Sequence, residues 1–312
     1  MSGSIVLGAN GQDGSYLCEA LAVTGQRVLG IGRQADFAKP HPNGDFRYLQ
    51  VDLTDREALC ALLSEERPYH IYHVAAVHGE SGFSYESVVP ELFAVSVLSV
   101  HACLEYLRGI DGGRLYYASS SKVFGNSLQQ NITEQTSKRA DCLYSTAKIA
   151  AGHLIDCYRR DHNVQAITAY LFNHESPRRQ PAYFVPKIAR ALANGMAAAG
   201  DPVDVKSLDF FADFGSAREY MEMSVRAMEL ELDGEYVVAT GKTVWAAEVV
   251  EALFESHALD YKEWLHAPAP GVKPDVIPFF ADASKLTDTL DYSPQFEFPQ
   301  LVEEIASAIR RS

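Results

Sequence analysis

Positive charge is scarce in this 312-residue chain: 27 Lys and Arg against 41 Asp and Glu leave a formal charge of −14. Such a surface has no long-range attraction for a polyphosphate, which argues against a nucleic-acid partner but leaves room for a local pocket holding one or two phosphates. Cysteine is sparse too. Cys18, Cys60, Cys103, Cys142 and Cys157 are odd in number, scattered and never spaced as CxxC. They predict reduced thiols in a cytoplasmic protein, with no disulfide framework and no zinc site. No run of ~18 apolar residues suggests a membrane span, and the opening MSGSIVLGANGQDG lacks the basic and apolar regions of a signal peptide. Neither an internal repeat nor a low-complexity segment is present. What is there is ordinary soluble composition, 47% apolar and 22% charged. A chain of this length holds about two domains, or one with a lobe.

The first half alternates short apolar runs with amphipathic stretches. Strands are expected at Ser4–Leu7, Arg27–Ile31, Ile71–Ala75, Arg114–Ala118 and Gln165–Phe172, and helices at Ser15–Thr24, Asp55–Glu66, Glu91–Leu107 and Tyr144–Asp161. This order predicts an α/β fold, a doubly wound parallel sheet with helices on both faces. The second half is broken by prolines. Helices are expected at Pro186–Asn194, Ser216–Leu232, Thr243–Ser256 and Pro299–Arg311, with Tyr236–Ala239 returning to the sheet.

Gly8, Gly11 and Gly14, in Gly8-Ala9-Asn10-Gly11-Gln12-Asp13-Gly14, form a GxxGxxG between the first strand and helix. Glycine lets the backbone turn sharply against a pyrophosphate, and the helix behind it aims N–H groups at the anion. The second strand ends Gly30-Ile31-Gly32-Arg33, without the acidic residue that would accept a ribose hydroxyl. Arg33 suits a 2′-phosphate, so NADP is expected rather than NAD. Asp52 and Leu53 are placed to meet the adenine edge, and Ala75 and Ala76 offer small side chains beside the dinucleotide.

Tyr144-Ser145-Thr146-Ala147-Lys148 puts Tyr144 and Lys148 on one helix face. An ammonium near a phenol favours the phenolate, whose pKa is about 10 when unperturbed. Such a tyrosine takes a proton from a sugar hydroxyl as hydride leaves. Ser119-Ser120-Ser121, at a strand end, can share the substrate's hydrogen bond. His73 and His78 flank another strand end. With no carboxylate or cysteine spacing to complete a metal site, they read as packing or supporting groups.

The glycine loop, the serine-rich strand end and YxxxK together resemble the extended short-chain dehydrogenase/reductase superfamily. Gly11-Gln12-Asp13-Gly14-Ser15-Tyr16-Leu17, Tyr144–Lys148 and Leu171-Phe172-Asn173-His174-Glu175-Ser176-Pro177-Arg178-Arg179 are similar to GDP-mannose 4,6-dehydratases. Phe83-Ser84-Tyr85-Glu86, Asp213–Tyr220, Tyr236–Gly241 and Asp282–Lys285 extend the likeness over nearly the whole chain. The resemblance implies a modified Rossmann domain over residues 1–172 that binds NADP, with 236–241 returning to the sheet, and a smaller mixed lobe over 173–312 that holds a GDP-linked sugar. It implies C4 oxidation by Tyr144 and Lys148, with Ser120 where the family has threonine. It implies Asn173 on the diphosphate, Glu175 on the base, and Ser84, Lys187 and Arg218 in the substrate site.

Three departures stand out. Lys122 occupies the place of the family's glutamate, which handles the C5 proton and the C6 hydroxyl. It can act as a base only if its pKa falls far below about 10.4. Ala212 replaces an arginine, and Lys273 stands for a later phosphate-binding arginine. The segment from Arg33 to Tyr48 is shorter than the family's tetramer-building loop, so a homodimer is expected. The leading expectation is an NADP-dependent 4,6-dehydratase. The runner-up is a 4-ketosugar reductase or 4-epimerase, and a third reading is a non-catalytic dinucleotide sensor.

Overall fold

The structure is a computed structural model describing residues 3–79, 82–125, 130–273 and 279–311. Seven short strands, apolar and mostly buried, build the main sheet: β1 (Ser4–Leu7), β2 (Val28–Gly32), β3 (Phe46–Gln50), β4 (His70–His73), β5 (Arg114–Ala118), β6 (Gln165–Leu171) and β7 (Gly234–Val238). Their order is β7-β6-β5-β4-β1-β2-β3, and every pairing is parallel. The sheet is therefore doubly wound, as expected, and the chain does return to it beside β6. From β1 the chain runs outward through β2 and β3 and then crosses back to β4 on the other side of β1, so the order of connections reverses between β1 and β4. In such sheets the crevice at that switch point, outside the carboxyl ends of the strands, is the place for a ligand.

Alternate residues of β1 feed opposite cores. Val6 meets α1 (Gln12–Val23) through Leu17 and Leu21 on one face. Ile5 and Leu7 lie on the other with Leu59 and Leu63 of α2 (Arg56–Glu66). The sequence expectation of no membrane-length segment needs correction. Glu86–Leu107 is helical and, by length and composition, apolar enough to cross a bilayer. It consists of a short 3-10 turn, α3 (Val89–Phe93), a π-turn at Ala94–Leu98, and α4 (Ser99–Leu107). Leu92, Val95, Val100, Cys103, Leu104 and Leu107 are buried, and most of them join the sheet core, which is why the helix is so apolar.

α5 (Leu143–His162) starts at a reciprocal cap: Ser145 N–H reaches Cys142 Sγ at 3.5 Å, and Cys142 N–H donates to Ser145 Oγ at 3.1 Å. The cap holds Tyr144 in the first turn, one turn before Lys148. Beyond β6, α6 (Phe184–Ala197) packs against the terminal helix Phe298–Arg311 around Ile188, Leu192, Phe254, Leu301 and Ile305. α7 (Ala217–Glu229) instead lies on α1, and its Met221 and Met228 join the core of the main sheet. The helix expected over Thr243–Ser256 begins only at Ala246, because Thr243–Trp245 pairs antiparallel with Phe211–Asp213. β-branched and aromatic side chains suit that extended edge.

Candidate active site

The glycine loop is built as its spacing requires. Gly8 has φ +98°, and a Cβ there would lie 2.8 Å from Ala75 Cα. A Cβ on Gly14 would lie 2.1 Å from the Gly8 carbonyl. The loop is thus pressed between the ends of β1 and β4, and α1 starts at Gly11 with no side-chain cap on its first amides. Asn10 ties the loop to the short segment after β2. Its amide donates to Asp36 O at 2.9 Å and to Tyr48 Oη at 3.0 Å, and its carbonyl accepts from Ala38 N–H at 2.8 Å. A cleft of about 390 Å³ runs over this loop, and all the residues expected to bind the dinucleotide line it, including Arg33, Asp52, Leu53, Ala75 and Ala76. Arg33 is ion-paired there with Glu91 of α3, a partner the sequence reading missed. The Asp52 carboxylate accepts from Thr54 N–H and Oγ1–H, both at 2.9 Å, which holds it below the usual range.

The two most distinctive motifs grip each other. Gln12 Nε2 donates to His174 O at 3.1 Å, and Ser176 Oγ donates to Gln12 Oε1 at 2.8 Å. His174 Nε2 lies 3.0 Å from Asp13 Oδ1, while its Nδ1 lies 2.7 Å from the Phe172 carbonyl. Both of those oxygens are acceptors, so both ring nitrogens carry protons and His174 is an imidazolium. Burial alone would raise Asp13 and lower His174. Their mutual charge and hydrogen bond outweigh it, holding Asp13 at about 2 and lifting His174 above 6.5. Arg178 donates to Ser15 Oγ at 3.0 Å, pairs with Glu19, and stacks 4.0 Å from the Tyr16 ring centre. Residues 11–17 and 171–179 are therefore a rivet joining the glycine loop to the segment that leaves the sheet.

At the head of α5, Tyr144 and Lys148 are both buried. Lys148 Nζ donates to Ala118 O at 2.7 Å and sits 5.7 Å from the Tyr144 ring centre. Burial lowers Lys148 to about 7, opposed by Asp13. Tyr144 does not follow the sequence expectation of a lowered pKa. Burial raises it above 10, neighbouring Tyr85 adds to the rise, and only the Ser120 hydrogen bond and Arg179 work the other way. Tyr144 is accordingly a neutral phenol here. Its ring is 4.5 Å from that of His78 and 5.9 Å from that of Tyr85.

A second cleft of about 770 Å³ opens towards the C-terminal segment. His78, Lys122, Tyr144, Asn173, Arg179 and Tyr183 line both clefts, so Tyr144 stands in the shared wall. Ser120 lines the first cleft only; Glu175 and Lys187 line the second. Glu175 is 5% exposed and its Oε2 lies 3.5 Å from Arg179 Nε, neither atom making a hydrogen bond among the described residues. The cation beside Glu175 is thus Arg179, whose guanidinium also stacks 3.8 Å from the Tyr183 ring centre.

Three expected substrate residues line neither cleft. Ser84 is solvent-exposed between the lining residues Phe83 and Tyr85. Arg218 faces Tyr16 and Glu19 from the first turn of α7, drawn there by the ring and the carboxylate. Lys273 pairs with Glu248 on the surface. Ala212 does line the second cleft, with no charge to offer. Among the described residues, no group of three or more His, Cys, Asp or Glu is placed to hold a metal ion.

Residues 5–305 match the family described as GDP-mannose 4,6 dehydratase. The chain is 28% identical to the GDP-mannose 4,6 dehydratase of Drosophila melanogaster over an alignment of 337 residues, covering 98% of this chain and 85% of that protein. It is 32% identical to the GDP-mannose 4,6-dehydratase of Yersinia enterocolitica over 266 residues, covering 80% and 70%. Its fold is similar to the crystal structure of Thermus thermophilus UDP-glucose 4-epimerase in complex with NAD, with a TM-score of 0.81 at 21% identity over 98% of each chain. The chain belongs to the GDP-mannose 4,6-dehydratase family and is an enzyme of the short-chain dehydrogenase/reductase superfamily.

Proposed function

We propose that the chain is an NADP-dependent 4,6-dehydratase of a nucleotide diphosphate sugar, with GDP-mannose as its substrate. The observation that carries this reading is the position of Tyr144 in the wall between a glycine-loop cleft and a second, larger one. The first cleft fits a dinucleotide: Gly8 and Gly14 have no room for a Cβ, so the loop lies tight against β4 beneath the cleft, and residues at the uncapped start of α1 line it. The Gly8–Gly14 loop would hold the pyrophosphate, Asp52 and Leu53 the adenine end, and Arg33 a 2′-phosphate. A bound nicotinamide would supply a hydride acceptor for C4 and a hydride donor for C6. The neutral Tyr144 phenol first loses its proton to solvent; the phenolate Oη, with Lys148 one turn away and Ser120 beside it, then takes the C4 hydroxyl proton, and the resulting ketone acidifies C5–H for loss of the C6 hydroxyl. The Glu175 carboxylate suits the paired donors of guanine, and Asn173 lies between the clefts where a diphosphate would pass. Scattered cysteines and the short Arg33–Tyr48 segment support a cytoplasmic homodimer.

Lys122 in the glutamate's place favours a second reading, a 4-ketosugar reductase or 4-epimerase acting in the same site. Incubation with NADP and GDP-mannose separates them. The dehydratase yields a 4-keto-6-deoxy sugar without net NADPH consumption. Unreacted sugar or a C4 epimer overturns it, and stoichiometric NADPH loss with a 4-keto-6-deoxy sugar identifies the reductase.

A further inference from the structure

Elimination requires a group that takes the proton from C5 and gives one to the departing C6 oxygen. Lys122, at the position where the resemblance puts a glutamate, is solvent-exposed. Another nitrogen base stands in the same wall. His78 lines both clefts, its ring lies 4.5 Å from the Tyr144 ring at an interplanar angle of 35°, and Tyr85 Oη hydrogen-bonds its Nδ1. The Tyr85 ring stacks 6.1 Å from that of His78 and 5.9 Å from that of Tyr144, so one ring orients the pair. The hydroxyl oxygen on C4 and the hydrogen on C5 belong to adjacent carbons, which suits two acid–base groups set side by side.

We infer that His78, oriented by Tyr85, is the catalytic residue that carries the C5 proton to the leaving C6 oxygen. The inference rests on the dehydratase reading above. In the tautomer whose Nδ1–H donates to Tyr85 Oη, His78 presents the Nε2 lone pair. Nε2 takes the C5 proton, and the C5–H electron pair becomes the C5=C6 bond, conjugated with the C4 ketone. The C6–O bond breaks with its electrons on oxygen, Nε2 returns its proton to that oxygen, and water leaves with His78 neutral again. No oxidation or reduction occurs in this step. The groups facing His78 fit a neutral base: burial in the cleft walls, then the charges of Arg179, Lys148 and Lys122, hold it at about 4. That is the basicity of a carboxylate, whose ordinary pKa is about 4.3 for glutamate. The Tyr183 ring also lies near it, 6.3 Å away.

The test uses the full chain with NADP, in D2O, and the variants His78→Asn, His78→Gln, Tyr85→Phe and Lys122→Ala. Two substrates are supplied: GDP-mannose, followed by nicotinamide reduction and product analysis, and GDP-4-keto-6-deoxymannose, followed by C5 deuterium uptake in NMR spectra. Both His78 variants are expected to keep the initial nicotinamide reduction from GDP-mannose and to lose C5 exchange by about 100-fold or more. Tyr85→Phe is expected to lose roughly tenfold, within the range of a positioning hydrogen bond, and Lys122→Ala to retain exchange. Wild-type rates of C5 exchange in both His78 variants, or exchange lost in Lys122→Ala alone, overturn the assignment. So does a wild-type chain that exchanges no C5 proton. If the wild type exchanges C5 of the ketosugar through His78 but makes no product from GDP-mannose, the dehydratase reading fails while the proton-transfer role of His78 stands.

Discussion

Replacing Asp13 with Asn removes one side of the rivet between the glycine loop and His174. Asp13 falls from 3.8 to about 2 in the fold, with its side chain only 20% exposed. At about 1.36 kcal/mol per unit, that shift corresponds to roughly 2 kcal/mol of stabilisation of the carboxylate. The signs of the two partners define a window. Asp13's contribution is complete above 3.8 and is lost as pH falls towards 2. His174, raised above 6.5, contributes fully below 6.5, and its share is lost as pH rises through its folded value. Between pH 3.8 and 6.5 both are present, and there Asp13→Asn should lower the thermal midpoint by roughly 5 °C. The gap should narrow in alkaline buffer, where His174 is neutral in both proteins. NMR titration should also show His174 falling below 6.5 in the variant, because burial is then unopposed by the carboxylate. Equal melting of the two proteins throughout the window, together with an unmoved His174 titration, would refute the imidazolium–carboxylate pair.

Tyr144→Phe should reduce turnover by roughly 10²- to 10⁴-fold while leaving NADPH binding, read by fluorescence titration, unchanged; loss of binding instead would point to a structural role. Because Lys148 is lowered to about 7, its ammonium is lost as pH rises through neutrality. The rate of C4 oxidation should therefore inflect near 7, and Lys148→Arg, permanently charged, should remove that inflection; a profile identical to wild type contradicts this. Glu91→Gln releases Arg33 and should tighten NADPH binding about tenfold, while NADH binding stays the same; equal effects on both would deny Arg33 the 2′-phosphate.

The sequence made the sheet legible because its buried strands are nearly pure apolar runs, as in Ser4–Leu7 and Ile71–Ala75, and helical spacing marks α1, α2 and α5 to within a few residues. The glycine loop was equally readable, since chain chemistry alone limits what can occupy Gly8 and Gly14. Long-range pairings were not. Asp13 and His174 lie 161 positions apart, and nothing local to either states that they meet. Arg33 carried a signal for phosphate, but its partner Glu91 lies on a helix whose π-turn no periodicity discloses. Burial was the other hidden quantity: YxxxK gives spacing, not desolvation, so Tyr144 was expected below its ordinary pKa and lies above it. His78 looked like packing because a lone histidine after a strand usually is. Tyr85, seven residues on, was a usable sign, and the fold brings both rings against Tyr144.

The most direct test of the account follows one atom. GDP-mannose carrying deuterium at C4 is turned over by the wild-type chain with NADP, and the product's NMR spectrum locates the label. Oxidation at C4, loss of water across C5 and C6, and reduction at C6 within one active site predict deuterium on C6 of a 4-keto-6-deoxy sugar. Deuterium retained at C4, in unreacted or epimerised sugar, would contradict it.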